Sequence, residues 1–160
     1  IDIPPGVHDG MRLRIRGEGD AGLRGGPAGD LYCVIRERPH DLFRRHGNDV
    51  VCEVPISFSD AALGTKLDVP TLAGTARVTI PAGTQSGEIL RLRGQGLPDL
   101  DGGGKGSLLI QVVLETPRKL SGRQREIFQQ LKEVESESAQ PARTGFFEKI
   151  KSYFQRDSDG

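Results

Sequence analysis

The stretch Ile1-Asp2-Ile3-Pro4-Pro5-Gly6 through Arg14-Ile15-Arg16-Gly17-Glu18-Gly19 returns later as Val78-Thr79-Ile80-Pro81-Ala82-Gly83 through Arg91-Leu92-Arg93-Gly94-Gln95-Gly96, without a gap and with nine identities in nineteen positions. Chance would supply roughly one, so the chain carries two copies of one structural unit. The shared glycines and prolines punctuate strands, because glycine admits positive φ while proline fixes φ and removes a donor.

Outward from this core the match continues. Gly29 meets Gly106 and Leu31 meets Leu108, and one extra residue enters before Pro39 and Pro117. The second copy is preceded by Asn48 to Arg77, whereas nothing stands before the first. Either the first unit has lost its front half or the sequence is a piece of a longer one.

Strand signals recur at short intervals, the rhythm of an antiparallel sandwich. Leu31, Cys33 and Ile35 alternate with Tyr32, Val34 and Arg36, and Val50, Cys52 and Val54 alternate with Val51 and Glu53. Leu67 and Val69 precede a Thr71-Leu72-Ala73-Gly74 turn, which Ala76, Val78 and Ile80 follow. Leu108, Ile110, Val112 and Leu114 predict the longest strand. Ser59 to Gly64 reads as one helical turn, with Ser59 as N-cap and Gly64 as terminator.

After Pro117 the period changes. Ser121 and Gln124 have capping-box spacing, and Ile127, Phe128, Leu131 and Val134 fall on one stripe of a helix over Gly122 to Glu135. Ser136 to Thr144 is poor in apolar residues and reads as a linker. Beyond it Phe146, Phe147, Ile150, Tyr153 and Phe154 predict an amphipathic helix of about ten residues, too short to stand alone in water.

The 160 residues carry 22 basic and 22 acidic side chains, so no net field favours nucleic acid or an anionic membrane. No apolar run approaches the ~18 residues of a membrane span, and no signal peptide is visible, so the cytoplasm is the expected compartment. The two cysteines, Cys33 and Cys52, sit in alternating apolar segments and read as buried thiols, and three histidines do not complete a zinc set. Arg12, Arg14 and Arg16 form a solvated strand face, and Gly102 to Ser107 reads as a hairpin loop rather than a phosphate loop, since a strand follows it. No nucleophile elbow or paired-acid context is present, so an enzyme is not expected.

These residues resemble the carboxy-terminal part of bacterial DnaJ-type co-chaperones. The likeness is carried by Ile3-Pro4-Pro5-Gly6-Val7 with Arg16-Gly17-Glu18-Gly19, by Gly29-Asp30-Leu31-Tyr32 through Arg38-Pro39-His40-Asp41-Leu42-Phe43-Arg44-Arg45, by Ala61-Ala62-Leu63-Gly64 and Val69-Pro70-Thr71-Leu72, and by Gly94-Gln95-Gly96 and Glu115-Thr116-Pro117. Pro39-His40-Asp41 is not the J-domain signature, whose order is His-Pro-Asp. The resemblance implies a mostly β fold, with two tandem β-sandwich domains, the first incomplete, followed by α-helices. The implied boundaries are 1–48 for the second half of domain I, 49–119 for domain II, 120–135 for a dimerisation helix, 136–144 for a linker and 145–160 for an aromatic tail. It also implies that a cysteine-rich zinc module would precede Ile1 and is absent here, so no cofactor is expected in this chain. The J domain that stimulates a DnaK-type ATPase is likewise absent from these residues.

The function implied is binding of unfolded or misfolded polypeptide in an apolar groove, by strand addition with one or two large side chains in a pocket. Such binding prevents aggregation and presents the client to the DnaK-type partner. Candidate groove residues are Phe43, set among His40, Arg44, Arg45 and His46 in a segment too polar for a core strand, with Leu13, Ile15 and Ile3 behind it. Ile127, Phe128, Leu131 and Val134 are the candidate homodimer seam. The rival from another class is a β-repeat scaffold for complex assembly, which would show no preference for unfolded sequence.

Overall fold

In the computed structural model, which describes residues 1–135 and 141–156, the elements in chain order are β1 (Arg12–Ile15), β2 (Leu31–Val34), β3 (Phe43–His46), β4 (Asp49–Ser57), α1 (Phe58–Leu63), β5 (Thr65–Thr71), β6 (Gly74–Ile80), β7 (Ile89–Leu92), β8 (Leu108–Glu115), α2 (Gly122–Glu135) and α3 (Pro141–Arg156). They divide into two units, Ile1–Thr116 and Pro117–Gly160.

The repeated sequence folds twice into the same hairpin. β1 pairs antiparallel with β2, Arg12 opposite Val34 and Ile15 opposite Leu31, and β7 pairs with β8 in the register the alignment demands, Ile89 opposite Gln111 and Leu92 opposite Leu108. The loop bonds repeat as well. The Gly10 N–H donates to the Ile35 carbonyl at 2.9 Å as Gly87 does to Val112 at 2.7 Å, and Gly19 donates to Gly29 at 2.8 Å as Gly96 does to Gly106 at 2.9 Å. Gly17 and Gly94 both turn with left-handed φ, 76° and 73°, where a side chain would be strained. In the first copy the Asp30 carboxylate completes the turn, accepting the Gly17 N–H at 3.0 Å and the Arg14 Nε–H at 2.6 Å. The Gly17 amide, then Arg14, holds this carboxyl below the usual aspartate range.

Around the second hairpin the sandwich is complete. Its four-stranded sheet runs β3-β4-β8-β7, and the β5–β6 hairpin supplies the other layer. β4 and β8 are parallel, Val50 opposite Leu108 through Ser57 opposite Glu115. The sheet is therefore mixed, not antiparallel throughout, because the excursion through α1 and β5–β6 re-enters it as β7, running opposite to β4, and the β7–β8 hairpin then turns β8 parallel to β4. The core joins Val50, Cys52 and Ile56 of β4, Ala61 of α1, Val69, Val78 and Ile80 of the hairpin, and Leu108, Ile110 and Val112 of β8. β4, with nine residues, exceeds the eight of β8, so the longest strand is not the one expected.

One local expectation is corrected. α1 is capped by Ser57, whose hydroxyl accepts the Asp60 N–H at 3.1 Å, while Ser59 lies inside the first turn; Gly64, φ 79°, does terminate the helix. The Phe43 segment, read as too polar for a core strand, forms β3 at the edge of the sheet.

In the second unit α2 spans the expected residues. Its capping box is formed, with Gln124 N–H donating to Ser121 Oγ at 3.2 Å and Ser121 N–H to Gln124 Oε1 at 2.9 Å. α3 has 16 residues rather than about ten and starts at Pro141, inside the segment read as linker. The remainder of that linker, 136–140, and the end of the aromatic tail, 157–160, lie outside the described residues. Among the described residues no helix is long and apolar enough to cross a membrane.

Candidate functional site

Where the first copy hands the chain to the second, a cavity of about 720 Å³ opens. That is within the usual range for a binding site. Its floor is apolar: Phe43 of β3, Val50 of β4, Leu72 at the tip of the β5–β6 hairpin, and Leu97 after β7. Its rim is largely cationic, from Arg36, Arg38, Arg44 and Arg45, with Asp9 and Glu37 also present.

Phe43 is half-buried and packs against the core of the second copy, so it is both a support for that core and a wall of the cavity. The His40 ring covers it, centroids 5.0 Å apart and planes inclined by 37°. His40 is held by its Nδ1, which accepts the Leu42 N–H at 3.1 Å. Arg44 pairs with Glu53 and Arg45 with Glu37, whereas Arg36 and Arg38 are exposed and make no ion pair among the described residues.

Of the four groove residues expected from sequence, only Phe43 lines this cavity. Leu13 and Ile15 are half-buried on β1 and stand opposite Cys33 and Leu31. Their repeat equivalents, Leu90 and Leu92, pack against the core of the second copy. Ile3 is exposed on the segment leading into the first hairpin. Val50, Leu72, Leu97 and the unpaired arginines were missed. They come from separated segments, and no local spacing marks them.

A second feature is the free edge of β2. In the second copy β8 has β7 on one side and β4 on the other, while among the described residues β2 pairs with β1 alone. Leu31 is accordingly 40% exposed where its equivalent Leu108 is 0% exposed, and Tyr32 and Val34 are exposed beside it.

On α2 the stripe lies open: Ile127, Phe128 and Val134 are exposed, Leu131 is half-buried, and no residue of the helix is buried. Cys52 is in the core, where burial and then the Glu53 charge push its thiol pKa up, Cys33 is a half-buried free thiol on β2, and no group of three or more His, Cys, Asp or Glu among the described residues could hold a metal.

Comparison with known proteins agrees with this architecture. The family described as DnaJ C terminal domain matches residues 1–117, and that described as Chaperone protein DnaJ C-terminal region matches 123–156. The chain is similar to proteins named Chaperone protein DnaJ. It is 51% identical to that of Protochlamydia amoebophila over 155 residues, 96% of this chain and 40% of the relative. It is 51% identical to that of Sinorhizobium fredii and 52% to that of Agrobacterium fabrum, each over 96% of this chain and 41% of the relative. The chain thus spans about two fifths of the length of the curated relatives it matches.

Proposed function

This chain belongs to the DnaJ C-terminal domain family, and on that footing we propose that it is a chaperone module that binds unfolded or misfolded polypeptide and keeps it from aggregating. In the whole protein it presents that client to a DnaK-type ATPase in the bacterial cytoplasm. The observation that carries this reading is the cavity over Phe43, whose apolar floor and open mouth suit a large side chain of an extended segment. No bond is made or broken. Binding is reversible because one anchored side chain and a few ladder bonds give modest affinity, and it is tolerant because backbone bonds are the same for every sequence. Leu13, Ile15 and Ile3 remain candidate client contacts along the first copy, next to the open edge of β2.

The stripe Ile127, Phe128, Leu131 and Val134 is proposed as the seam of a homodimer. Pairing two weak client sites raises overall avidity without new contacts, provided one client spans both.

Phe43→Ala is expected to weaken binding of a fluorescently labelled, permanently unfolded polypeptide roughly tenfold or more, the loss that follows truncation of a large apolar anchor. Far-UV circular dichroism checks the fold. Because Phe43 also touches the core, Leu72→Ser provides the second variant, since Leu72 lines the same cavity from an exposed hairpin tip. Unchanged anisotropy titrations for both folded variants would remove this cavity from the client site.

A further inference from the structure

We propose that Arg45 is a positioning residue that fixes the first copy of the repeat against the second and so sets the mouth of the cavity; the binding half of this inference rests on the client reading above. The joint needs such a device. Among the described residues no strand of the first hairpin packs extensively against a strand of the second copy. The connection is made instead by the segment leading into β1, by the linker between β2 and β3, and by the loop after β7.

Arg45 belongs to β3, which precedes residue 49 in the chain but pairs with β4 in the sheet of the second copy, and its guanidinium reaches three places at once. Its Nη1 donates to the Val7 carbonyl at 2.7 Å and its Nη2 to the Gly6 carbonyl at 3.4 Å, both on the lead-in of the first copy. The same Nη1 pairs with the Glu37 carboxylate of the linker, and Nε donates to the Gly47 carbonyl at 2.8 Å, which holds the side chain on its own turn. Glu37 is tied back in turn, its N–H donating to Asp9 Oδ1 at 2.9 Å. The Arg45 side chain is only 19% exposed, so these charge-assisted bonds are partly shielded from water. Gly6 itself lies so close to the loop after β7 that an added Cβ would stand 2.6 Å from the Leu100 nitrogen. Asp9, Glu37 and Arg45 all line the cavity, so a shift at the joint changes the site directly.

Lysine cannot replace this residue, because an ammonium is a point charge and cannot hold a carboxylate and three carbonyls in fixed directions. The test is the distance between spin labels at Arg12→Cys on β1 and Thr75→Cys on β6, in a Cys33→Ser background. The labelled chain is diluted into excess unlabelled chain so that any dimer holds one labelled copy. The parent should give one narrow distance distribution, Arg45→Met a broad one, and Arg45→Lys an intermediate width.

Apparent affinity for an unfolded polypeptide should fall about tenfold in Arg45→Met if the clamped arrangement drops to about a tenth of the population. Glu37→Gln, which leaves the carbonyl bonds in place, should also broaden the distribution and serves if Arg45→Met does not fold. An unchanged width in the folded variants overturns the proposal, and a broadened width with unchanged affinity overturns its link to binding. A parent that binds no unfolded polypeptide refutes the client reading alone, since the distances are read without a client.

Discussion

Gly106→Ala is expected to destabilise the second copy by about 3 kcal/mol or more, the upper range for forcing atoms into packed space, while Gly29→Ala at the equivalent position of the first copy leaves stability within about 0.5 kcal/mol. A Cβ on Gly106 would overlap the Asn48 carbonyl and stand 2.9 Å from the Asp49 nitrogen. That point begins β4, where the Val50 N–H donates to the Ser107 carbonyl at 2.9 Å and the Asp49 carboxylate accepts the Ser107 N–H at 2.6 Å. Pushing it away separates β4 from β8 at the centre of the sheet. At Gly29 the nearest atom is the Asp20 carbonyl oxygen at 3.7 Å, an ordinary contact, because among the described residues no strand occupies the place that β4 holds in the second copy. Thermal unfolding of the two variants measures the contrast directly. Equal losses for both would mean that the two hairpins have the same surroundings and that the β2 edge is not open.

The second large effect concerns self-association. Phe128→Asp combined with Leu131→Asp should convert a dimer to a monomer in sedimentation, with the dissociation constant raised more than about a hundredfold. Each of Ile127, Phe128, Leu131 and Val134 contributes roughly 1.5–3 kcal/mol on full burial, before the cost of association. Two carboxylates in such a seam forfeit half of that gain and must also be desolvated without partners. The helix itself should persist, since the Ser121–Gln124 capping box lies outside the changed positions. Retention of the dimer by the double variant would place the seam elsewhere.

What could be read from sequence was whatever local chemistry decides. The glycines shared by the repeat marked the duplicated unit, because Gly6 and Gly83, Gly10 and Gly87, Gly17 and Gly94 turn alike and Gly19 and Gly96 make the same close approach. The α2 limits follow from a capping box and an apolar stripe. The parallel pairing of β4 with β8 was not legible, since alternation looks the same in parallel and antiparallel strands and the partner lies far along the chain. Ser57 and Ser59 are both plausible caps by residue type; the structure selects Ser57, whose Oγ also bonds to Asp60 Oδ2 at 2.8 Å. For α3 the start was not read: the apolar-poor segment around Pro141 read as linker, although proline suits the first position of a helix. Of the cavity, Phe43 was legible from its polar neighbourhood, whereas Leu72 and Leu97 reach it only through the fold of the second copy.

The most direct test of the central claim is light scattering from a denatured client protein diluted into buffer with and without this chain. A client holder should suppress the scattering in proportion to the amount of chain added, approaching completion near stoichiometric amounts, and Phe43→Ala should suppress it less. Scattering that rises at the same rate whether or not the folded chain is present would contradict the account.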